Sequence, residues 1–342
     1  MMIVRVLRSG LSSTIQDLGR PNLRHYGVPV GGALDRPSHE LANRLVGNLA
    51  NAATVEMTLT GDELEWPNSG LIAITGADMS PVTSNEGIDN TRVPQHCPVM
   101  IRAGTRIRFG AARRGCRCYL AVAGGFDVPV VMGSRSTYLR AGVGGVHGRA
   151  LKMGYEIQLG DFKENASHPG TGSDQSFSAP PWFIRTIDLP SASTVVLRTL
   201  RGSHFTRMTD ESQSSFLHDE FEITPQSDRM GYRITGPRLR LEVVDELSSE
   251  GLVCGTIQLP PDGNPILLMA DSAPTGGYHR IGQVITADIS LAAQLRPGQS
   301  VAFREVSLPE AQQIAAQQRQ MLENALLIAG LTSPAGKDVG KL

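Results

Sequence analysis

Glu56-Met-Thr-Leu-Thr-Gly61 returns 194 positions later as Glu250-Gly-Leu-Val-Cys-Gly255. Pro67 lands on Pro261 at the same offset. Leu71-Ile-Ala-Ile-Thr-Gly-Ala-Asp78 is answered by Ile266-Leu-Leu-Met-Ala-Asp271, and Ala103-Gly-Thr-Arg-Ile-Arg-Phe109 by Pro297-Gly-Gln-Ser-Val-Ala-Phe303. From aspartate to glycine the step is 26 residues in the first half and 27 in the second. Spacing kept over such a length points to one architecture built twice. A duplicated pair is expected to offer a cleft between its copies for small-molecule chemistry.

Within each half the apolar runs are short and bounded by Gly, Pro or Asp, among 37 glycines and 21 prolines. That is the pattern of short strands joined by turns. Ile107 and Phe109 alternate with Arg106 and Arg108, so one face packs and the other is wet. Two helices interrupt the pattern. One lies near residues 38–48, with Ser38 as its cap and Leu41, Leu45 and Val46 on one face. The other runs from about Pro309 to Ala329, with proline in the first turn and Gly330 at the stop. Its apolar stripe of Ile314, Ala315, Met321, Leu322, Ala325 and Leu326 is expected to dock on the parent domain.

The expected organisation is therefore a first subdomain over 1–165, a polar linker over 166–181 and a second subdomain over 182–306. A C-terminal helix over 307–330 and a frayed tail over 331–342 complete it.

A chain of 342 residues with net charge −1 gives no electrostatic case for nucleic acid. Arg113 and Arg114 read as isolated surface charges. No stretch of 18 apolar residues predicts a membrane span, and the N-terminal residues lack a signal-peptide core. Four cysteines are too few for a disulfide framework in a chain this long, so buried thiols in a reducing cytoplasm are expected. Cys116-Arg-Cys118 lacks zinc-ligand spacing and no histidine pair has metalloprotease spacing, so no metal site is assigned.

Four polar segments could carry chemistry. In Ser13-Thr-Ile-Gln16-Asp17-Leu-Gly-Arg20, Gln16 and Asp17 could orient an amide, or Asp17 could simply bond the amides of a turn. Ser134-Arg135-Ser136-Thr137-Tyr138 precedes Gly142-Val-Gly144-Gly145-Val-His147-Gly148-Arg149. Exposed amides at Gly144 and Gly145, with Arg135 and Arg149, suit an anion. Asp228-Arg229-Met-Gly-Tyr-Arg233 is a dense polar knot before a strand, read as an Asp228–Arg229 pair. Asp271-Ser-Ala-Pro-Thr275-Gly276-Gly277-Tyr278 follows a strand and makes Asp271 a candidate acid or base. A Gly-x4-Gly-Lys loop is missing, so any ATP use lies outside the P-loop class. Lys152 between Leu151 and Met153 has no carrier domain around it.

Taken in order, several segments resemble one family. They are Ser13 to Arg20, Gly27-Val-Pro-Val-Gly-Gly-Ala-Leu-Asp35, Ala42-Asn-Arg-Leu-Val-Gly-Asn48, Ser134 to Tyr138, and Ser227-Asp-Arg-Met-Gly-Tyr-Arg233. Ser249-Glu250-Gly251, Gly255-Thr-Ile-Gln258-Leu-Pro260 and Thr275 to Tyr278 complete the set. The chain resembles the biotin-dependent carboxyltransferase family, also called allophanate hydrolase subunit 2, over about residues 3–305. The family includes KipA proteins and the C-type subunits of bacterial ATP-dependent 5-oxoprolinases.

The resemblance implies a mainly β fold with a few helices, arranged as two tandem cyclophilin-like β-barrel subdomains. It implies a KipI-like partner, the B-type subunit of 5-oxoprolinase, with a further A-type subunit for ring opening. ATP would act through that complex on a small amide. A carboxylation of urea or another amide with carboxybiotin is the alternative, and a KipA-like binding protein without turnover a third. On this reading Asp271, Arg135, Asp228 and Arg229 are catalytic. Gln16, Asp17, Ser136, Thr137, Tyr138, Gly144, Gly145, Arg149, Glu250, Gln258, Thr275, Gly276, Gly277 and Tyr278 bind substrate or anion. Two departures stand out: Tyr155 where an aspartate is expected, and Ser272-Ala-Pro274 where a more polar stretch is usual.

Overall fold

The computed structural model describes residues 2–84, 90–161, 176–184, 189–190, 193–243, 245 and 247–332. The expected tail beyond residue 332 and most of the linker lie outside them. The fold is mostly β, with four α-helices among the described residues. Two compact units divide the chain: Met1–Gly19, Asp35–Leu189 and Met321–Leu342 form the first, Arg20–Leu34 and Pro190–Gln320 the second.

In the first unit one sheet orders its strands Glu156–Gln158, Ile3–Arg8, Glu63–Trp66, Thr105–Arg108 and Val82–Thr83. The other orders Phe177–Ser178, Pro98–Ile101, Gly70–Asp78, Arg114–Val122, Thr54–Thr58 and Ser12–Gln16. Alternate residues of both, among them Val4, Leu64, Trp66, Ile107, Val55, Ile74 and Leu120, share one core. The chain passes between sheets at glycines. A Cβ on Gly10 would sit 2.1 Å from the Thr60 carbonyl, and one on Gly61 would sit 2.3 Å from Phe109 Cβ. Those crossings lie against each other through Leu11 N–H to Thr60 O and Gly61 N–H to Gly110 O, both 3.1 Å.

Helix α1 (Arg36–Leu45) covers the outer face of the larger sheet. Its cap is Asp35, which accepts from Ser38 N. Ser38 was the expected cap, but proline at position 37 suits the first turn and moves the start upstream. Leu41 and Leu45 are buried as expected.

In the second unit seven strands close a barrel: Thr194–Arg201, His279–Val284, Thr256–Leu259, Ile266–Leu268, Gly231–Thr235, Glu220–Ile223 and Ser300–Glu305. Closure is by a parallel pairing of Ser300–Glu305 with Thr194–Arg201. The barrel is filled by Leu197, Phe221, Ile257, Leu267, Ile281 and Phe303. Helices α2 (Asp210–His218) and α3 (Ile289–Ala293) add Phe216 and Ala292 to that core. The segment Arg20–Leu34 belongs to this unit although it precedes α1 in the chain. Gly31 N–H bonds Ala270 O at 3.1 Å, and Leu34 enters the barrel core. A division into contiguous stretches does not capture it.

Helix α4 (Leu308–Thr332) is longer than its periodicity predicts. Ile314, Ala315, Leu322, Ala325 and Leu326 are half-buried, but Met321 is 68% exposed. Met321 lies one residue off the 3.6-residue stripe that Gln318 and Leu322 share. No helix of the described residues is long and apolar enough to cross a membrane. Cys97, Cys116 and Cys118 are buried free thiols, and Cys254 is half-buried.

Candidate functional site

In the first unit the strand Ser12–Gln16 delivers Asp17 to the loop Ser134–Tyr138. The Asp17 carboxylate accepts four hydrogen bonds. Oδ1 takes Ser134 Oγ at 2.6 Å, Ser136 Oγ at 2.5 Å and Gly19 N at 2.8 Å; Oδ2 takes Arg135 N at 2.6 Å. Thr137 N–H donates to Ile15 O at 2.8 Å, which zips the loop along the strand edge. Asp17, Ser136 and Thr137 are all buried. They hold the loop and do not face solvent. Gln16 is also buried, its Nε2 donating to Thr14 Oγ1 at 3.0 Å and Thr137 O at 3.1 Å.

What that scaffold presents is a cleft of about 870 Å³ lined by Arg135, Gly144, Gly145, His147, Asp127 and Glu156. Arg135 lies along its wall, with Nε donating to Val128 O at 3.1 Å and Nη2 in an ion pair with Asp127 Oδ1 at 4.0 Å. Gly145 N–H donates to Arg135 O at 2.9 Å. Gly144, Gly145, His147 and Gly148 all have positive φ. The N–H groups of Gly144, Val146 and His147 have no acceptor among the described residues. Tyr138 pairs with Val143 by two backbone bonds at the base of the loop. Arg149 is exposed and not among the lining residues. Tyr155, one of the departures, sets its ring edge-on to His147 at 5.8 Å.

In the second unit the Asp228–Arg229 pair is not formed. Asp228 is exposed and caps its own turn, accepting from Met230 N at 2.8 Å and Gly231 N at 3.2 Å. Adjacent residues point apart, so Arg229 turns inward to Asp271 instead. Its Nε and Nη2 meet the two Asp271 oxygens at 2.9 and 3.0 Å, and Nη2 also donates to Gly32 O at 2.6 Å. Asp271 is 3% exposed and Arg229 9%. Arg20, 1% exposed, comes close as well. A Cβ on Gly31 would sit 3.5 Å from both Arg20 Nη1 and Asp271 Oδ1. Asp271 is thus held by two bonds from the buried Arg229 guanidinium.

Beside it, Glu250–Gly251 pairs with Thr275–Gly276 in a short antiparallel ladder. Glu250 forms an ion pair with Arg280. Gln258 is buried and its Nε2 donates to Tyr278 O at 3.4 Å. Thr275, Gly277 and Tyr278 are exposed. Glu250, Gln258, Thr275, Gly276 and Tyr278 are therefore neighbours.

Sequence reasoning missed several participants. Ser134 carries one of the shortest bonds to Asp17, and only its place in the Ser-x-Ser motif hinted at it. Arg20, last residue of a quoted motif, is buried with no sign of that in its neighbours. His279 Nε2–H donates to Asp245 Oδ1 at 3.0 Å, Arg207 holds the same carboxylate at 2.8 Å, and His204 stands edge-on to His279 at 5.3 Å. The Arg207 hydrogen bond holds the Asp245 carboxyl below its usual range, and burial lowers His204. These four residues are dispersed in sequence, so no spacing exposes them. In the first unit Tyr119 O–H donates to the buried Glu56 at 2.7 Å and accepts from Asp35 N at 2.8 Å. Burial, reinforced by Glu56, pushes the Tyr119 phenol up. No group of three or more His, Cys, Asp or Glu among the described residues is placed to hold a metal ion.

Comparison with known proteins gives the family. The C-type subunit of Escherichia coli 5-oxoprolinase is 37% identical over 94% of this chain and 97% of its own length. Its Haemophilus influenzae counterpart is 36% identical over 87% and 90%. The crystal structure of the Kluyveromyces lactis urea carboxylase superposes with a TM-score of 0.83 at 27% identity, covering 94% of this chain. This chain spans only 29% of that larger one. The model of the carboxyltransferase domain, subdomain A and B, matches residues 26–305, and the chain belongs to that family.

Proposed function

We propose that this chain is the C-type component of an ATP-dependent 5-oxoprolinase, acting with a B-type component to activate the lactam. An A-type component would then open the ring. The observation that carries the reading is end-to-end similarity to two proteins of that name, against a match to less than a third of a urea carboxylase. Phosphoryl transfer from ATP to the lactam oxygen, with ADP leaving, would turn a poor electrophile into a good one. The residues present suit an anion of that kind. Arg135 and the N–H groups of Gly144, Val146 and His147 line one cleft, and those three N–H groups lack acceptors among the described residues. They would offset charge developing on a phosphoryl group. Asp17 serves by fixing the loop that carries Arg135.

Asp271 fits a positioning role better than that of a proton acceptor. Both its oxygens are occupied by Arg229, and a buried carboxylate so held is an anchor. Gln258, Thr275 and Tyr278 remain the candidates to contact substrate. The urea carboxylase likeness favours a second reading, transfer of carboxylate from carboxybiotin to an amide.

The test is to co-express the chain with its A- and B-type partners and measure 5-oxoproline-dependent ATP hydrolysis. Stimulation that Arg135→Ala reduces by tenfold or more supports the proposal. No stimulation from a folded complex refutes it. Carboxybiotin-dependent carboxylation of urea by the same complex would replace it with the second reading.

A further inference from the structure

Arg233 closes a motif that the roles above leave unused. It lies on the strand Gly231–Thr235 between Tyr232 and Ile234, both buried, so strand alternation turns its side chain outward. There it lines a cleft of about 720 Å³ in the second unit, together with Tyr278, Gln226, Asn264, Asp262 and Thr224. That volume lies within the range of small-molecule sites. The turn Pro260–Pro265 stiffens one wall.

Two opposite charges line this cleft without pairing. The Arg233 guanidinium makes no hydrogen bond or ion pair among the described residues. Asp262 lines the same cleft but does not pair with it. Asp262 Oδ1 accepts the Asn264 N–H at 3.0 Å, which fixes the carboxylate in the turn and leaves its second oxygen without a partner among the described residues. The Thr224 hydroxyl is shielded from solvent with no partner of its own. Both side chains are exposed to solvent, so each is open to a ligand that enters the cleft. The turn and the strand place them on one hollow without pairing them.

We propose that this cleft binds a small molecule carrying both a carboxylate and an N–H donor. Arg233 receives the carboxylate through its planar fork, Asp262 accepts the N–H, and the amides of Gln226 or Asn264 meet a carbonyl. Tyr278 gives the ring an aromatic face. A five-membered lactam acid such as 5-oxoproline has each of those groups. The pairing of charges stands on this cleft alone; the identity of the acid rests on the function proposed above.

The experiment is calorimetric titration of the purified full chain with 5-oxoproline, without ATP or partner proteins. The same titration uses 2-pyrrolidinone, the ring without its carboxylate. The chain should bind the acid, and 2-pyrrolidinone at least tenfold more weakly. Arg233→Gln should weaken the acid about tenfold or more, as loss of a charge-assisted pair does. Asp262→Asn, which keeps the turn's acceptor, should weaken it severalfold. Arg240→Gln, an exposed arginine outside the cleft, should stay within twofold. Both arginines are exposed, so folding is retained, and hydrogen exchange of barrel amides in the second unit checks it. Absence of binding by the unaltered chain, or an Arg233→Gln affinity within twofold of it, overturns the proposal. An inert complex in which this chain still binds the acid through Arg233 would sink the oxoprolinase reading and leave this one standing. An active complex whose apparent KM for 5-oxoproline ignores Arg233→Gln would do the reverse.

Discussion

Replacing Asp17 by alanine removes an acceptor that four donors share in a buried site. Two of those donors are hydroxyls. Ser134 Oγ also accepts from Ser136 N at 2.9 Å, and Ser136 Oγ from Asp17 N at 2.9 Å, so both stay partly satisfied and can rotate. The other two are the backbone N–H groups of Arg135 and Gly19, which have nowhere else to go. Each stranded amide costs about 1–3 kcal/mol. Partial entry of water at a 7% exposed site brings the expected loss to about 2–4 kcal/mol. Asparagine should fare little better. If its oxygen keeps the three bonds at Oδ1, its NH2 faces the Arg135 N–H, donor against donor, at about 2 kcal/mol. The assay exploits a convenience of this chain: its tryptophans, Trp66 and Trp182, both belong to the first unit. Urea unfolding followed by tryptophan fluorescence therefore reads that unit. With a slope of about 2 kcal/mol per molar, the midpoint should fall by about 1–2 M. A shift below about 0.3 M for Asp17→Ala, with unchanged slope, would refute the view that this carboxylate organises the loop.

Other outcomes follow from the same geometry. Gly145→Ala would place a Cβ 2.0 Å from Thr137 Oγ1 at a φ of +53°, so it should destabilise the first unit by about 2 kcal/mol or more. Adding Thr137→Ala should recover part of that loss in the same fluorescence assay. His39 is fully buried, bonded to Thr54 Oγ1 and Ala50 O, and burial lowers its imidazole from 6.5 to about 4. The folded state thus binds the proton less well. Stability is full above pH 6.5, falls as pH drops towards about 4, and levels off below it, by about 3 kcal/mol at most. His39→Gln should flatten that part of the difference profile; an identical slope in the variant would disprove the assignment. Arg229→Met alone strands Asp271 and should cost the second unit about 3–5 kcal/mol, read by hydrogen exchange of barrel amides. The double change Arg229→Met with Asp271→Leu should cost clearly less.

Much of this molecule was readable before folding was considered. The repeated segments, the short bounded strands and the alternation at Arg106 to Phe109 are local signals, and each reflects a strand's two-residue period. The quoted motifs carried the family. They also marked Asp17, Arg135, Gly145, Arg229, Asp271 and Tyr278 as notable, because polar residues and glycines in strand-rich sequence are seldom placed by packing alone. Which of these touch which was not readable. Asp228 and Arg229 are adjacent in sequence yet diverge, since neighbouring side chains point opposite ways, and Arg229 finds Asp271 across 42 residues. The repeat misleads on environment too. Glu56 and Glu250 match in sequence, but Glu56 is 1% exposed and bonded by Tyr119, whereas Glu250 sits in a short surface ladder with Arg280. Composition and periodicity thus determined the mainly β class of the fold. Burial, charge pairing and the assignment of Arg20–Leu34 to the barrel were decided only by tertiary contact, because each depends on what the rest of the chain brings alongside.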